Sequence, residues 1–268
     1  MRLKISHTTD YQLTEPTKYG LQQLRITPTT NALQTVKEWR VEMIGGKLET
    51  HYTDEHGALV HLASIEPEKT DLKIFAEGEV ETIDASGVFG KQIGFMPVWL
   101  YQHSTPLTRI GQGIRALVRS LDLTDKDDIS RLHELCAAIL RDIPYETGRT
   151  NVETSAEDAI LEGAGVCQDH AHIFIAAARH MGFPARYVSG YLMMNDREMQ
   201  DAGHAWAEAY VEGLGWVGFD VSNEICPDDR YVRLAVGLDY SEAAPVSGMT
   251  WGQGGASMKV MVQVQQQQ

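Results

Sequence analysis

From residue 1 to about 84 the chain runs in short, partly alternating stretches of apolar and β-branched residues, the two-residue period of strands. Residues 21–27, 36–43, 48–53, 59–65, 72–76 and 79–83 are the predicted strands. Gly45-Gly46, Asp54-Glu55-His56-Gly57 and Glu77-Gly78 are the predicted turns between them. Trp39, Val41 and Met43 fall on one face and Arg40 and Glu42 on the other, as in an antiparallel strand with one face buried. The region therefore predicts a small antiparallel β-sandwich. His51, His56 and His61 read as solvated sheet or turn histidines.

Residues 85–105 contain glycine and lack a period, so a boundary is expected near residue 90, dividing 1–90 from 91–268. Beyond it the period lengthens to about 3.6. Leu107, Ile110, Ile114, Leu117, Val118 and Leu121 form one helical stripe, with Thr105-Pro106 as its start signal. Leu132, Leu135, Cys136, Ile139 and Leu140 form a second, ending before Pro144, and Cys136 reads as core. Thr154 and Ser155, followed by Glu157 and Asp158, predict a short capped helix that stops at Gly163. Cys167, Ala171, Phe174, Ala178 and Met181 mark a further helix, which Gly182 and Pro184 end. A β-rich run at 185–193, a polar loop at 195–203 and a hairpin of 204–211 with 216–220 follow. A last alternating strand covers 258–265, before glutamines that should fray. The sum is an α+β chain.

Composition narrows the classes. With 43% hydrophobic and 22% charged residues the chain predicts a packed globular protein. No apolar run reaches membrane-span length and Met1-Arg2-Leu3-Lys4-Ile5 is no signal-peptide core, so a cytoplasmic protein without a membrane partner is expected. The net charge of −14 disfavours nucleic acid and anionic membrane. Three scattered cysteines make no disulfide framework.

The chemistry centres on Gly163-Ala164-Gly165-Val166-Cys167-Gln168-Asp169-His170. A cysteine in the first turn of a helix meets unpaired amides and the positive pole of the macrodipole, both of which favour a thiolate. A small core hydrophobe is the alternative reading. A thiolate nucleophile needs a base and a group to orient that base. His204 begins the first hairpin strand and Asp220 ends the second. A tight turn at 213–214 would put them on opposite faces, whereas a bulge or an odd-length turn would put them on one. Catalysis thus predicts a register irregularity. His170 and His172 point about 200° apart on a helix and no CxxC or HExxH spacing occurs, so neither metal nor cofactor is expected. His172 reads as a packed residue and Asp169 as a helix cap. Tyr145, Tyr187, Trp206 and the 195–203 loop are candidate cleft walls, with core packing the alternative for each aromatic.

Gly165–Ala171, Gly182–Tyr191, Gly203–Glu208 and Gly215–Asp220, in that order, resemble the transglutaminase-like cysteine protease superfamily. The likeness is strongest to its bacterial branch, which carries a β-rich N-terminal region, and extends to Thr150–Ala156 and Arg230–Tyr240. The resemblance implies a papain-like core in which a helix-borne Cys167 nucleophile faces an antiparallel sheet. His204 would be general base and acid, and Asp220 the orienting carboxylate. The Cys167 amide would be one oxyanion donor. Val221-Ser222-Asn223 stand where relatives usually continue with proline and threonine, His170 where an aromatic is usual, and Leu238 where an arginine is usual.

The expected function is a thiol hydrolase that cleaves a peptide or isopeptide bond through a thioester, with a peptide or amide as partner. Acyl transfer to an amine and a non-catalytic binding or scaffold role are the alternatives.

Overall fold

The structure is a computed structural model and describes residues 1–16, 19–91, 94–251 and 256–267. Strands β1 (Arg2–Leu13), β2 (Tyr19–Thr27), β3 (Gln34–Ile44), β4 (Gly46–Thr53), β5 (Leu59–Ile65), β6 (Asp71–Thr82) and β7 (Val88–Gly90) come first. A 3-10 turn at Val98–Gln102 leads to helices α1 (Gln112–Ser120), α2 (Asp128–Asp142), α3 (Ala156–Glu162) and α4 (Cys167–His180). Then follow β8 (Ala185–Leu192), β9 (Met199–Gln200), β10 (His204–Val211), β11 (Gly215–Phe219), β12 (Tyr231–Gly237), α5 (Tyr240–Ala243), β13 (Val246–Trp251) and β14 (Ala256–Gln266).

The strands form three antiparallel sheets, in the orders β3-β6-β1-β14-β9, β13-β2-β5-β4 and β12-β8-β10-β11-β7. Leu24, Ile26 and Ala63 of the second sheet bury against Ile74 and Ala76 of the first, giving the expected sandwich. The first sheet also packs on the third, where Leu3, Ile5 and Val264 meet Tyr191, Val232 and Leu234.

Three expectations about the strands and their boundaries are corrected. Glu77-Gly78 is no turn, because β6 runs straight through it. Gly78 sits opposite Trp39, where a Cβ would come 2.1 Å from the Glu38 carbonyl oxygen. Glycine there admits the neighbouring strand rather than bending its own. The division near residue 90 does not hold for the end of the chain, since β13 pairs with β2 and β14 with β1. Residues 246–251 and 256–266 therefore complete the N-terminal sheets, covering edges that would otherwise expose unpaired amides. The closing glutamines do not fray up to Gln267: Gln265 and Gln266 pair with Lys4 and Leu3, and the Gln267 amide donates to the Arg2 carbonyl (2.9 Å). Gln268 lies outside the described residues.

Helix α4 is buried along Asp169–Arg179, between the other helices and the third sheet. Burial of a side chain such as Phe174 contributes about 1.5–3 kcal/mol. In the last turn Arg179 donates to the carbonyls of Tyr101 (2.8 Å), Ala185 (2.8 Å) and Leu238 (2.7 Å). One guanidinium thus ties four segments, and burial lowers its pKa to about 10.

Helix α1 starts at Gln112, not at Thr105-Pro106. Its cap comes from α3, where Glu157 accepts from the amides of Gly111 (2.7 Å), Gly113 (2.9 Å) and Ile114 (2.9 Å). His56 is not solvated: it is buried, bonded to the Tyr101 hydroxyl (2.7 Å) and to Glu242 (2.9 Å). Among the described residues no helix is long and apolar enough to cross a membrane.

Candidate active site

Cys167 is the first residue of α4, partly exposed at its N-terminal end. The first amides of a helix have no intrahelical acceptor, so the amides of Cys167 and Gln168 stand at a positive pole. Asp169 closes the turn from the third position. Its Oδ2 accepts from the Val166 amide (2.8 Å) and the Thr150 hydroxyl (2.6 Å), fixing the incoming loop to the helix start.

The hairpin supplies the irregular register. Val211 pairs with Gly215 and Ala207 with Phe219, so the connection is the three residues 212–214. That odd length places His204 and Asp220 on one face. Gly213 and Gly215 both adopt positive φ (+84° and +85°), and a Cβ at Gly215 would come 2.2 Å from the Gly90 carbonyl oxygen. Glycine is thus required where the turn rejoins the sheet.

Asp220 and His204 meet at the sheet's end, both buried. His204 Nε2 donates to Asp220 Oδ2 at 2.6 Å. Cys167 and His204 line one cleft, and Cys167 lies close enough to raise the His204 pKa. Asp220 Oδ2 further accepts from Asn223 Nδ2 (2.8 Å) and the Tyr231 hydroxyl (2.7 Å). Burial works against charge on both partners. On Asp220 the His204 charge and these hydrogen bonds prevail, holding the carboxyl below its ordinary range. On His204 burial is outweighed by Asp220 together with Cys167, and the pKa rises to about 10. The arrangement is a buried carboxylate, an imidazole that holds its proton firmly, and a partly exposed thiol on the same cleft.

Cys167, His204 and Asp220, far apart in sequence, are therefore neighbours here. Asn223 and Tyr231 went unrecognised from sequence. Asn223 had a local signal, standing three residues after an aspartate whose carboxylate caps a 3-10 turn by accepting from the Asn223 amide. Tyr231 had none, since it reaches Asp220 from β12. His170 packs under the site, with Nδ1 2.8 Å from Ser222 Oγ and Nε2 donating to the Ile143 carbonyl (2.8 Å). His172 is buried, accepts from the Tyr240 amide (3.2 Å), and has its pKa lowered to about 4 by burial.

A cleft of about 320 Å³ opens over Cys167 and His204. One wall comes from α4 and the 201–205 segment, the other from His7 and Thr9 of β1 with Met258 and Val260 of β14. Of the aromatics considered, Tyr187 lines it. Trp206 instead stacks behind His204, ring centroids 6.3 Å apart, and Tyr145 packs edge-on against His170. Among the described residues no group of three His, Cys, Asp or Glu side chains is arranged to hold a metal ion.

Two family models match this chain: the transglutaminase-like superfamily over residues 115–221, and the bacterial transglutaminase-like N-terminal region over residues 3–81. Residues 115–221 belong to the transglutaminase-like superfamily. An uncharacterised protein of Mycobacterium leprae is 28% identical over 98% of both chains. An uncharacterised protein of Mycobacterium tuberculosis is 35% identical over 45% of this chain and 41% of its own length. A crystal structure of a candidate cysteine protease from Cytophaga hutchinsonii shares the fold, with a TM-score of 0.77 at 24% identity over 100% of this chain and 92% of that one. The transglutaminase-like match contains Cys167, His204 and Asp220, whereas Asn223 and Tyr231 lie beyond its end. The N-terminal match contains β1, which walls the cleft.

Proposed function

We propose that this chain is a thiol hydrolase that cleaves an amide bond, in a peptide or isopeptide, through a thioester on Cys167. The observation that carries the reading is His204, bonded at 2.6 Å to buried Asp220 and sharing one cleft with Cys167. His204 takes the thiol proton, and the sulfur attacks the substrate carbonyl carbon. The oxygen, now negative, is held by the Cys167 amide. As the intermediate collapses, His204 gives its proton to the departing nitrogen, the C–N bond breaks, and the thioester remains. Water then attacks the thioester while His204 accepts its proton. Collapse releases the carboxylic acid and returns sulfur and imidazole to their starting state. Asp220 fixes the ring orientation throughout. Three free cysteines fit a reducing, cytoplasmic setting.

Profiling a peptide library with wild type and Cys167→Ala tests this reading. Cleavage by the wild type alone supports it. Incorporation of a labelled amine in place of water would make the chain an acyl transferase. Alkylation of Cys167 by iodoacetamide no faster than an ordinary exposed thiol, with no turnover, would leave a binding or scaffold role.

A further inference from the structure

Val152, Tyr240, Val246 and Met258 border two spaces at once: the cleft over Cys167 and a larger groove of about 620 Å³ beside it. The groove runs between α5 and the N-terminal sheets, over Leu13 and Leu107, and Glu153 is the one charged residue of its lining among the described residues. Val152 (52%) and Met258 (53%) stand half exposed at the junction. Apolar lining with a few polar groups is the usual make-up of a ligand site of this size.

The border along β13 is unusual. Val246, Ser247 and Gly248 line the groove in succession. Side chains of a strand alternate between faces, so three consecutive residues bring the backbone of β13 itself to the groove, beside the face that Val246 and Gly248 share with Gln22 and Ile65. β13 is the terminal strand of its sheet and pairs with β2 on one side. Among the described residues no strand pairs with its other edge, which leaves alternate amides and carbonyls without a ladder partner. Gln22, opposite Gly248 on β2, is 7% exposed, borders the groove, and has a buried Oε1 without a hydrogen-bond partner.

The groove also has a direction. His204 delivers a proton to the departing amine, so the leaving group lies on the His204 side. Asp201–Ala205 border the Cys167 cleft but not the groove. Val152 borders both, and its carbonyl accepts from Gln168 Nε2 (3.3 Å). The groove therefore leaves Cys167 on the Gln168 side, where the acyl portion of a substrate continues.

We propose that the groove binds the acyl-side segment of a peptide substrate as an extended strand along the free edge of β13, with apolar side chains seated in it. Such strand addition takes affinity from main-chain bonds and selectivity from alternate side chains. The proposal rests on the hydrolase reading of Cys167. The test uses N-acetylated peptides ending in a fluorogenic amine, randomised and then N-methylated one residue at a time on the acyl side. The result expected is a preference for apolar residues there. N-methylation at every second position should lower kcat/KM roughly tenfold, with little effect between. Leu107→Arg should shift the preference from leucine toward glutamate by a similar factor. Indifference to acyl-side residues, a uniform response to N-methylation, or an unchanged preference in Leu107→Arg would overturn it. If the wild type cleaves no peptide, the hydrolase reading fails separately. The groove is then read from protection of Cys167 against iodoacetamide by an acetylated tetra-leucine acid. Protection lost on alternate N-methylation supports the groove, and absence of protection overturns it.

Discussion

His170 Nδ1 lies 2.8 Å from Ser222 Oγ, joining the first turn of α4 to the segment that leaves β11. Residues far apart in sequence are thereby joined in one interaction across the floor of the site. The hydroxyl donates to Nδ1 while Nε2 donates to the Ile143 carbonyl. Burial lowers the pKa of His170, which favours the neutral ring that this pairing requires. His170→Phe strands both partners and should destabilise the fold by about 1–3 kcal/mol. Ser222→Ala should cost less, and the double variant should fall short of the sum. Urea unfolding of the four proteins measures the coupling; strict additivity would show that the bond contributes nothing.

The pH profile should follow His204. Its pKa is raised from the ordinary 6.5 to about 10, against burial, by Asp220 and Cys167. The stabilisation from its charge is therefore complete below the unfolded value of about 6.5 and disappears as pH rises through about 10. The imidazolium that protonates the leaving group disappears over the same upper range. Activity should fall by single-proton loss near pH 10, and Asp220→Asn should move that limb to lower pH, since burial then acts with less opposition. kcat/KM against pH for both proteins checks the shift, and an unmoved limb would assign it to another group.

Tyr231 acts on the site only through Asp220, to which its hydroxyl donates at 2.7 Å. Tyr231→Phe keeps the ring packed against Trp206 and removes one of three side-chain donors to Asp220 Oδ2. A hydrogen bond to a charged group is worth about 1.5–3 kcal/mol, so kcat/KM should fall roughly ten- to a hundredfold. KM should change little, because Tyr231 does not line the cleft over Cys167. A loss confined to KM would contradict a positioning role.

Behind the site, Glu208 joins Arg186 (2.7 Å) to Arg233 (2.6 Å), and Arg186 lies 3.8 Å over the Trp216 ring. One buried carboxylate here serves two buried guanidinium groups. Glu208→Gln leaves both uncompensated and should cost about 3–5 kcal/mol. Arg233→Met leaves a one-to-one pair and should cost clearly less. Chemical denaturation orders the two variants; the reverse order would mean that Glu208 is not the group neutralising the pair.

How much of this was legible in sequence depended on range. The α4 helix was readable because its period, its cap at Asp169 and its stop at Gly182 are all local. Asp220 was readable only as a choice between faces, which the odd turn at 212–214 decides. β1 passed unnoticed because its inward positions include His7 and Thr9, polar residues that break the apolar alternation and line the cleft. His56 looked solvated because its partners, Tyr101 and Glu242, come from distant segments. The pairings of β13 and β14 were invisible for the same reason: periodicity identifies a strand and does not name its neighbour.

Those pairings make the end of the chain part of the site it does not adjoin in sequence. β14 pairs with β1 from Leu3–Gln266 to Leu13–Ala256, and its Val262 and Val264 bury in the cluster that joins the first sheet to the third. Removing residues 256–268 opens that edge of β1 and withdraws two buried valines worth about 1.5–3 kcal/mol each. It also takes away Met258 and Val260 from the cleft wall. The loss is of the order of a domain's whole net stability, about 5–15 kcal/mol. The truncated chain should bind a hydrophobic dye, aggregate, and lose any enhanced alkylation of Cys167. Removing Gln267 and Gln268 alone should leave Tm and alkylation close to those of the full chain. A chain cut at residue 255 that kept its Tm would show that the first sheet stands without its last long strand, and the cleft wall would have to be assigned elsewhere.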